Sequence, residues 1–499
     1  MPDRDYTFLE LTVSLCATCL RKVEAKVVEQ DGRVYLHKWC PEHRFQKVLI
    51  STDADYYKLC RRTLKPAQVP LRFNTPIRHG CPYDCGLCPD HEQHSCLAIV
   101  EVTDQCNLTC PVCYSESSPH RPTHRNLEHV EFMLDAVVRN EGEPDVVQIS
   151  GGEPTIHPQF WQILDAAKRR PIKHLMLNTN GVRIAADPDF ARRLAAYQPG
   201  FEVYLQFDSL RAEPLVRLRG EDLRDVRRRA LDHLNAHNVS TTLVVTLQKG
   251  VNDDEVGAIL DYAVGQRCVR GVTFQPVQSA GRLDAFDPAT DRLTLAEVRQ
   301  RILDQSPIFR PQDVVPVPCH PDCLAMAYAI KWGGKVVPIT GEVDPSVFLQ
   351  AEGSTIVYER NPKLRERLYT LFAGCGCDPA ADRPVAGGGA GGGTSLKQLL
   401  CCLPTVPLPD AVGYENLFRV IVMQFLDPHN FDVRAVKKSC VHIVHPDGRI
   451  IPFDTFNLFY RDGRERLLDD LRAGRGVPDH AAESGRVQLS VAGRSGSLA

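Results

Sequence analysis

Asp104-Gln-Cys-Asn-Leu-Thr-Cys-Pro-Val-Cys-Tyr114 is the stretch on which the reading of this chain turns. Its cysteines, Cys106, Cys110 and Cys113, have CxxxCxxC spacing. Three thiolates so spaced can hold three irons of a cubane cluster and leave the fourth iron without a protein ligand. An open metal position is where chemistry happens, whereas a closed one holds structure or passes electrons. The run follows an apolar stretch, Leu97–Val102, that reads as a strand. The cysteines therefore fall in the loop at its carboxyl end, where parallel-sheet proteins place their sites.

Outward from this loop, strand-like and helix-like segments alternate from Leu97 to about Phe309. The expected strands are Leu97–Val102, Val146–Ser150, His174–Asn178, Glu202–Phe207, Thr241–Leu247 and Gly271–Pro276. Between the first two, Leu127, Val130, Met133, Leu134, Val137 and Val138 recur at helical period. Six βα units predict an α/β fold with a parallel sheet, curved into a partial, TIM-like barrel. Around this core at 97–309, the sequence divides into a metal-knuckle unit at 1–65, a Pro-rich cysteine segment at 66–96, an α+β unit at 310–470 and a polar, flexible tail at 471–499. The glycine run at 386–393 reads as a linker.

The 499 residues are 43% hydrophobic and 24% charged, an ordinary globular composition with room for several domains. A net charge of −3 gives no broad basic field, so nucleic acid is not an expected partner. No run of 18 apolar residues occurs, and Met1-Pro-Asp-Arg-Asp5 lacks the apolar core of a signal peptide. The 19 cysteines are clustered, which points to metal ligation in a reducing cytosol rather than a disulfide framework. The expected location is cytoplasmic, with any membrane contact peripheral, at the inner face.

A second CxxxCxxC run, Cys81, Cys85 and Cys88, has Cys96 eight residues after its last cysteine. Four nearby thiolates would close an electron-passing auxiliary cluster. The Cys106 run has no such neighbour, the next cysteine being Cys268, so the open cluster is assigned there. Zinc is the bland alternative, but CxxxCxxC is a poor ribbon spacing. At the N-terminus, Cys16, Cys19, Cys40 and His43 form two knuckles suited to one tetrahedral ion, zinc or a rubredoxin-like iron, with Cys60 competing for the fourth position. In the C-terminal part, Cys319, Cys323, Cys440 and one of Cys401 and Cys402 are expected to build a third cluster. Adjacent residues of an extended chain point apart, and Cys402 is preferred. The rival reading is buried apolar thiols, and Cys375 and Cys377 read as surface thiols.

Gly151-Gly-Glu-Pro154 follows the second expected strand. Glycine permits close backbone approach, and Glu153 either caps a helix or accepts from an ammonium. Asn180, Gln206, Asp208, Ser209, Thr246 and Gln275 lie at successive strand ends and are read, as a set, as contacts to cofactor or substrate.

With its cysteine loop and glycine turn in this order, the segment from residue 97 to about 310 resembles the radical S-adenosylmethionine (SAM) superfamily. The resemblance implies that SAM chelates the unique iron, that one electron cleaves its sulfonium, and that the 5′-deoxyadenosyl radical so formed takes hydrogen from an unactivated carbon. It makes Cys106, Cys110 and Cys113 catalytic, and a ferredoxin- or flavodoxin-type protein the electron donor. The residue before the third cysteine, usually aromatic, is here Val112, with Tyr114 just after, which weakens the expected stacking on adenine. The whole chain is similar to a narrower group, the tetraether lipid synthase and its bacterial relatives, some described as 7,8-dihydro-6-hydroxymethylpterin dimethyltransferases. Cys81–Cys96, Cys319-His-Pro-Asp-Cys323 and Ser439-Cys-Val-His442 carry this resemblance. It implies three [4Fe-4S] clusters and one mononuclear metal. Coupling of lipid alkyl tails is the leading expectation for the reaction. Methylation of a pterin is the alternative, and peptide modification a further one.

Overall fold

A computed structural model describes residues 4–283, 286–332, 335–343, 345–350, 414–461 and 463–475. Cys375, Cys377, Cys401, Cys402, the glycine run and nearly all of the expected tail lie outside these residues.

Strands Leu97–Glu101, Val146–Ser150, His174–Thr179, Phe201–Gln206, Thr241–Leu247 and Val269–Pro276 pair in sequence order, all parallel. Each of the first two is buried along its whole length, as expected of strands covered on both faces. Alternate residues face opposite ways. Ala98, Val100, Val147 and Ile149 pack under the outer helices, whereas Leu97, Ile99, Val146 and Met176 face the interior. Helix Leu127–Glu141 shows how the covering layer is built. The Asn126 side chain accepts from the His129 amide to start it, Gly142 ends it, and Val130, Met133, Leu134 and Val137 are its buried stripe.

The sheet does not stop at the sixth strand. Leu417–Met423 adds in parallel beside Val269–Pro276, and Leu324–Trp332 runs antiparallel beyond it. At the other edge Val441–Val444 pairs in parallel with Leu97–Glu101. The segment read as a separate C-terminal unit thus flanks the barrel on both sides, within one sheet that has 12 strands among the described residues.

The N-terminal unit is a four-stranded antiparallel sheet in the order Thr7–Leu15, Lys22–Gln30, Arg33–Cys40, Arg44–Ser51. Asp31 and Gly32, both at positive φ (52° and 72°), make its central turn. Buried Lys38 clamps the unit to the rest of the chain. Its ammonium donates to the carbonyls of Leu15, Pro428 and His429 at 2.7, 2.9 and 2.9 Å, one acceptor for each N–H. No helix among the described residues is long and apolar enough to cross a membrane.

Candidate active site and metal centres

A cavity of about 130 Å³ opens inside the barrel beneath the Cys106–Cys113 loop. Of the residues expected at the site, Cys106, Cys110, Cys113, Gly151, Gly152, Asn180, Gln206, Thr246 and Gln275 line it. Burial pushes the Cys106 thiol up to about 12 and raises Cys110 as well, so a metal must displace protons on binding. Tyr114, Phe425 and Phe453 form an aromatic wall, with ring centroids 5.0 Å apart for Tyr114–Phe453 and 3.9 Å for Phe425–Phe453. The aromatic surface missing at Val112 is thus supplied elsewhere.

Glu153, Asp208 and Ser209 do not line the cavity. The Glu153 carboxylate is wholly buried and engaged. It accepts from Thr155 N (3.0 Å), Thr155 Oγ1 (2.6 Å), Thr179 Oγ1 (2.8 Å) and Asn180 N (2.7 Å). Its geometry is that of a brace under the site, not of a group free to meet an ammonium. The glycines before it are required by packing. A side chain on Gly151 (φ +133°) would strike the Thr103 carbonyl, and one on Gly152 the Gln105 carbonyl. Gly152 N and Glu153 N donate to those same carbonyls at 2.7 and 2.9 Å, docking the glycine turn against the loop that leads into Cys106.

Asp208 and Ser209 sit one layer back. Asp208 takes Arg219 in a two-pronged pair at 2.6 and 2.7 Å, and Arg219 donates onward to Thr246 Oγ1 at 2.7 Å. Ser209 binds the Glu255 carboxylate. Sequence reasoning misses Arg219, which lines the cavity. The available signal was its place four residues after Leu215, on the buried stripe of helix Ala212–Arg219. An arginine there needs a buried carboxylate partner. Gln148, Tyr204 and Gln278 also line the cavity without having been anticipated.

Cys16, Cys19, Cys40 and His43 bring their ligand atoms within 4.8 Å of one another. Cys19 and Cys40 Sγ are 3.8 Å apart, close to the edge of roughly 3.8 Å expected for a tetrahedron with metal–sulfur bonds of about 2.3 Å. His43 Nδ1 lies 3.6 Å from both Cys16 and Cys40 Sγ, which fits the same ion. Cys60 is elsewhere, buried near Tyr56.

The expected partner of Cys81, Cys85 and Cys88 is corrected. Cys96 lies with Cys319 and Cys440, all three within 4.8 Å. The cause is strand pairing. Cys96 and Cys440 each precede a strand by one residue, and those strands pair in parallel with Leu97 opposite Val441. Cys323 does not join this group. Burial pushes its thiol up, and the negative charges of Asp454, Asp322 and Asp432 add to this. His94 approaches the Cys96 thiol at 3.5 Å and the Glu141 carboxylate at 3.1 Å. Burial pulls this imidazole down, but the thiol and carboxylate beside it raise it to about 11. Hydrogen bonding by Cys319 and Cys440 holds Cys96 well below the ordinary thiol range, and His94 adds to this. The donor set suits a metal centre that needs thiolate.

A model of the radical SAM superfamily matches residues 100–263, and one described as the HMPTM N-terminal zinc ribbon domain matches residues 8–52. The chain is 29% identical over 481 residues to the 7,8-dihydro-6-hydroxymethylpterin dimethyltransferase of Methanocaldococcus jannaschii, covering 90% of this chain and 94% of that one. It is 33% identical over 162 residues to the mycofactocin maturase MftC of Mycobacterium tuberculosis, covering 32% of this chain and 40% of that protein. Among solved structures, SuiB of Streptococcus suis aligns at 16% identity and a TM-score of 0.35, over 42% of this chain and 46% of that one. The fold is a radical SAM α/β core preceded by a zinc ribbon, and its cysteine loop stands over a cavity at the strand ends. The chain belongs to the radical SAM superfamily and is an enzyme of it.

Proposed function

We propose that this enzyme acts on a carbon of a small, planar, pterin-type heterocycle, as a C-methyltransferase. One observation carries the reading. Gln148, Asn178, Gln206, Gln275 and Gln278 surround the cavity with primary amides, each able to donate and to accept. The buried Gln148 Nε2 and Gln278 Oε1 have no hydrogen-bond partner among the described residues. A saturated hydrocarbon tail would leave such groups unpaired, at a cost of about 1–3 kcal/mol each. A 2-amino-4-oxo ring edge offers matching donors and acceptors. The likeness to the pterin dimethyltransferase over 90% of the chain supports the same choice, so the reading departs from the tail coupling expected first.

In this reading Cys106, Cys110 and Cys113 hold the SAM-binding cluster, while Cys96, Cys319 and Cys440 hold one auxiliary centre. Cys81, Cys85 and Cys88 hold another, and the ribbon knuckles one zinc or iron. Bound at the bare iron and given one electron, SAM would supply the hydrogen-abstracting equivalent, and a second SAM would give its sulfonium methyl to the substrate carbon, leaving S-adenosylhomocysteine, with one further electron from the reductant. The chain's own work is positional. The glycine turn fixes the cluster loop, the amides orient the ring, the aromatic wall excludes water, and Arg219 keeps a positive charge beside Cys110.

The test is anaerobic turnover with SAM, a chemical reductant and 7,8-dihydro-6-hydroxymethylpterin, read by mass spectrometry. The expected result is 5′-deoxyadenosine together with a methylated pterin. Coupled alkyl chains from an added lipid, with the pterin untouched, would overturn the substrate assignment. No 5′-deoxyadenosine from any substrate would overturn the reaction class.

A further inference from the structure

We infer that the surface of residues 69–79 docks an acidic one-electron carrier protein, which reduces the enzyme through the adjoining Cys81–Cys85–Cys88 loop. The inference rests on the reading of those cysteines as an auxiliary cluster.

Residues 74–80 are wrapped onto that loop. Asn74 N and Thr75 N donate to the Leu87 carbonyl at 2.9 and 3.2 Å. One oxygen of Asp84, inside the loop, accepts from the backbone amides of Arg78, His79 and Gly80. What the segment shows outward is therefore the outer wall of the cysteine loop. Cys81 is half-buried, whereas Cys85, Cys88, Cys96, Cys319 and Cys440 are all buried. Among these thiols it stands closest to solvent.

The wall has an apolar middle and a basic rim. Leu71, Phe73 and Ile77 are 74%, 43% and 41% exposed. Between Tyr56 and Tyr83 there is no Asp or Glu. Of the basic residues in that stretch, Lys58 and Arg61 are turned to Glu29, Glu10 and Asp322, and Lys65 is buried. Arg62, Arg72 and Arg78 remain exposed, with no side-chain ion pair among the described residues, and the last two lie within residues 69–79. A small face of this kind suits the brief encounters of redox proteins, where complementary charge sets the association rate. The positive sign selects an acidic partner.

On the inner side the loop leads to the cavity. Cys85 N donates to Tyr460 Oη at 2.8 Å, and the Cys85 thiol meets Thr455. Phe453, in the same helical turn as Thr455, packs on Tyr114, the neighbour of Cys113. The electron balance is simple: the carrier loses one electron, the auxiliary centre gains it, and no proton or group moves.

The experiment is stopped-flow reduction of the holoenzyme by a reduced flavodoxin, followed by bleaching of cluster absorbance. Arg72→Glu/Arg78→Glu is compared with the parent and with a charge-matched control, Arg192→Glu/Arg229→Glu. The expected result is an association rate at least tenfold lower at low salt and a flatter salt dependence, with the control unchanged. Dithionite-driven reduction and the melting midpoint should stay at parent values. Phe73→Ser, which changes no charge, should lower the rate without altering its salt slope. An unaltered flavodoxin rate in the charge-reversal variant overturns the inference. So does a variant that loses binding to phosphatidylserine vesicles while keeping the flavodoxin rate, which would make the face a lipid surface. Loss of dithionite-driven SAM cleavage in the parent strikes the reaction class instead. Flavodoxin-driven bleaching still reads the docking face in that case.

Discussion

Replacing Glu153 by Gln separates a brace from a ligand. The carboxylate gathers four hydrogen bonds, three on Oε1 and one on Oε2. Gln offers one acceptor oxygen. Its best placement keeps the three donors from Thr155 and Thr179 and turns an NH2 towards the Asn180 amide. That forfeits one charge-assisted bond, about 1.5–3 kcal/mol, and leaves a buried N–H facing another, about 1–3 kcal/mol. Part is returned, because burial disfavours the charge and pushes this carboxyl above its ordinary value. The net destabilisation expected is about 2–3 kcal/mol. For a domain of 150–250 residues that lowers the melting midpoint by about 4–12 °C. SAM affinity should fall through displacement of Asn180, whose Nδ2 donates to Asn107 Oδ1 at 2.6 Å beside Cys106. A loss of up to about tenfold is expected, equal to roughly 1.4 kcal/mol. Anaerobic calorimetry gives the first quantity and equilibrium dialysis of SAM the second. An unchanged midpoint with SAM affinity down by about 100-fold or more would show instead that Glu153 touches SAM directly.

Arg219→Met should be worse than Asp208→Asn, since it leaves the buried Asp208 carboxylate only the longer 3.8 Å pair with Arg227, at a cost of about 3 kcal/mol, and the double variant should recover part of the loss in urea unfolding. Burial pushes the Asp208 carboxyl up, yet the Arg219 guanidinium more than offsets this and the net lies below 3.8. The stabilisation from that pair should therefore be full above about pH 4 and disappear as pH falls further, which acid titration of parent and double variant will show. Cys96→Ala and Cys440→Ala should each remove the same iron complement, and the double variant no more than either. A Cys96→Ala/Cys85→Ala variant should lose the sum of both singles, and iron analysis with a non-additive result there would restore the original pairing of Cys96 with Cys81, Cys85 and Cys88. Cys16→Ala should cost one metal ion per chain by elemental analysis and loosen the ribbon towards protease. Retained metal with unchanged digestion counts against a structural ion.

The barrel was legible because fully buried parallel strands are short apolar runs and their covering helices are strongly periodic. Val146–Ser150 and Thr241–Leu247 were placed to the residue. That Cys106, Cys110 and Cys113 share one loop was legible because they are close in sequence, and the ribbon knuckles for the same reason. What escaped is long-range. Cys96 was paired by proximity along the chain, whereas its neighbours come from Cys319 and Cys440 through a strand pairing between Leu97 and Val441. Glu153 carried the right residue type for a SAM contact, but no local pattern reveals that Thr155, Thr179 and Asn180 engage both of its oxygens. The amides at Gln148 and Gln278 look like ordinary polar residues until the sheet curves and turns them inward.

The strand pairing that moved Cys96 also bears on how a centre proposed at Cys96, Cys319 and Cys440 would influence the reaction. Leu97 and Val441, the residues after Cys96 and Cys440, both line the cavity. The two thiols therefore anchor the starts of the strands whose next residues form the wall. Interiors are close-packed, so a shift of either strand start changes the shape presented to a bound ring. Removing that centre should widen the range of substrates accepted before it abolishes SAM cleavage, because Cys106, Cys110 and Cys113 are fixed separately, by the glycine turn docked on Thr103 and Gln105. Cys440→Ala measured for both 5′-deoxyadenosine and methylated product distinguishes these roles. Uncoupled cleavage, with the nucleoside formed and the product lost, is the expected outcome. Equal loss of both would mean that the centre supports the catalytic loop itself.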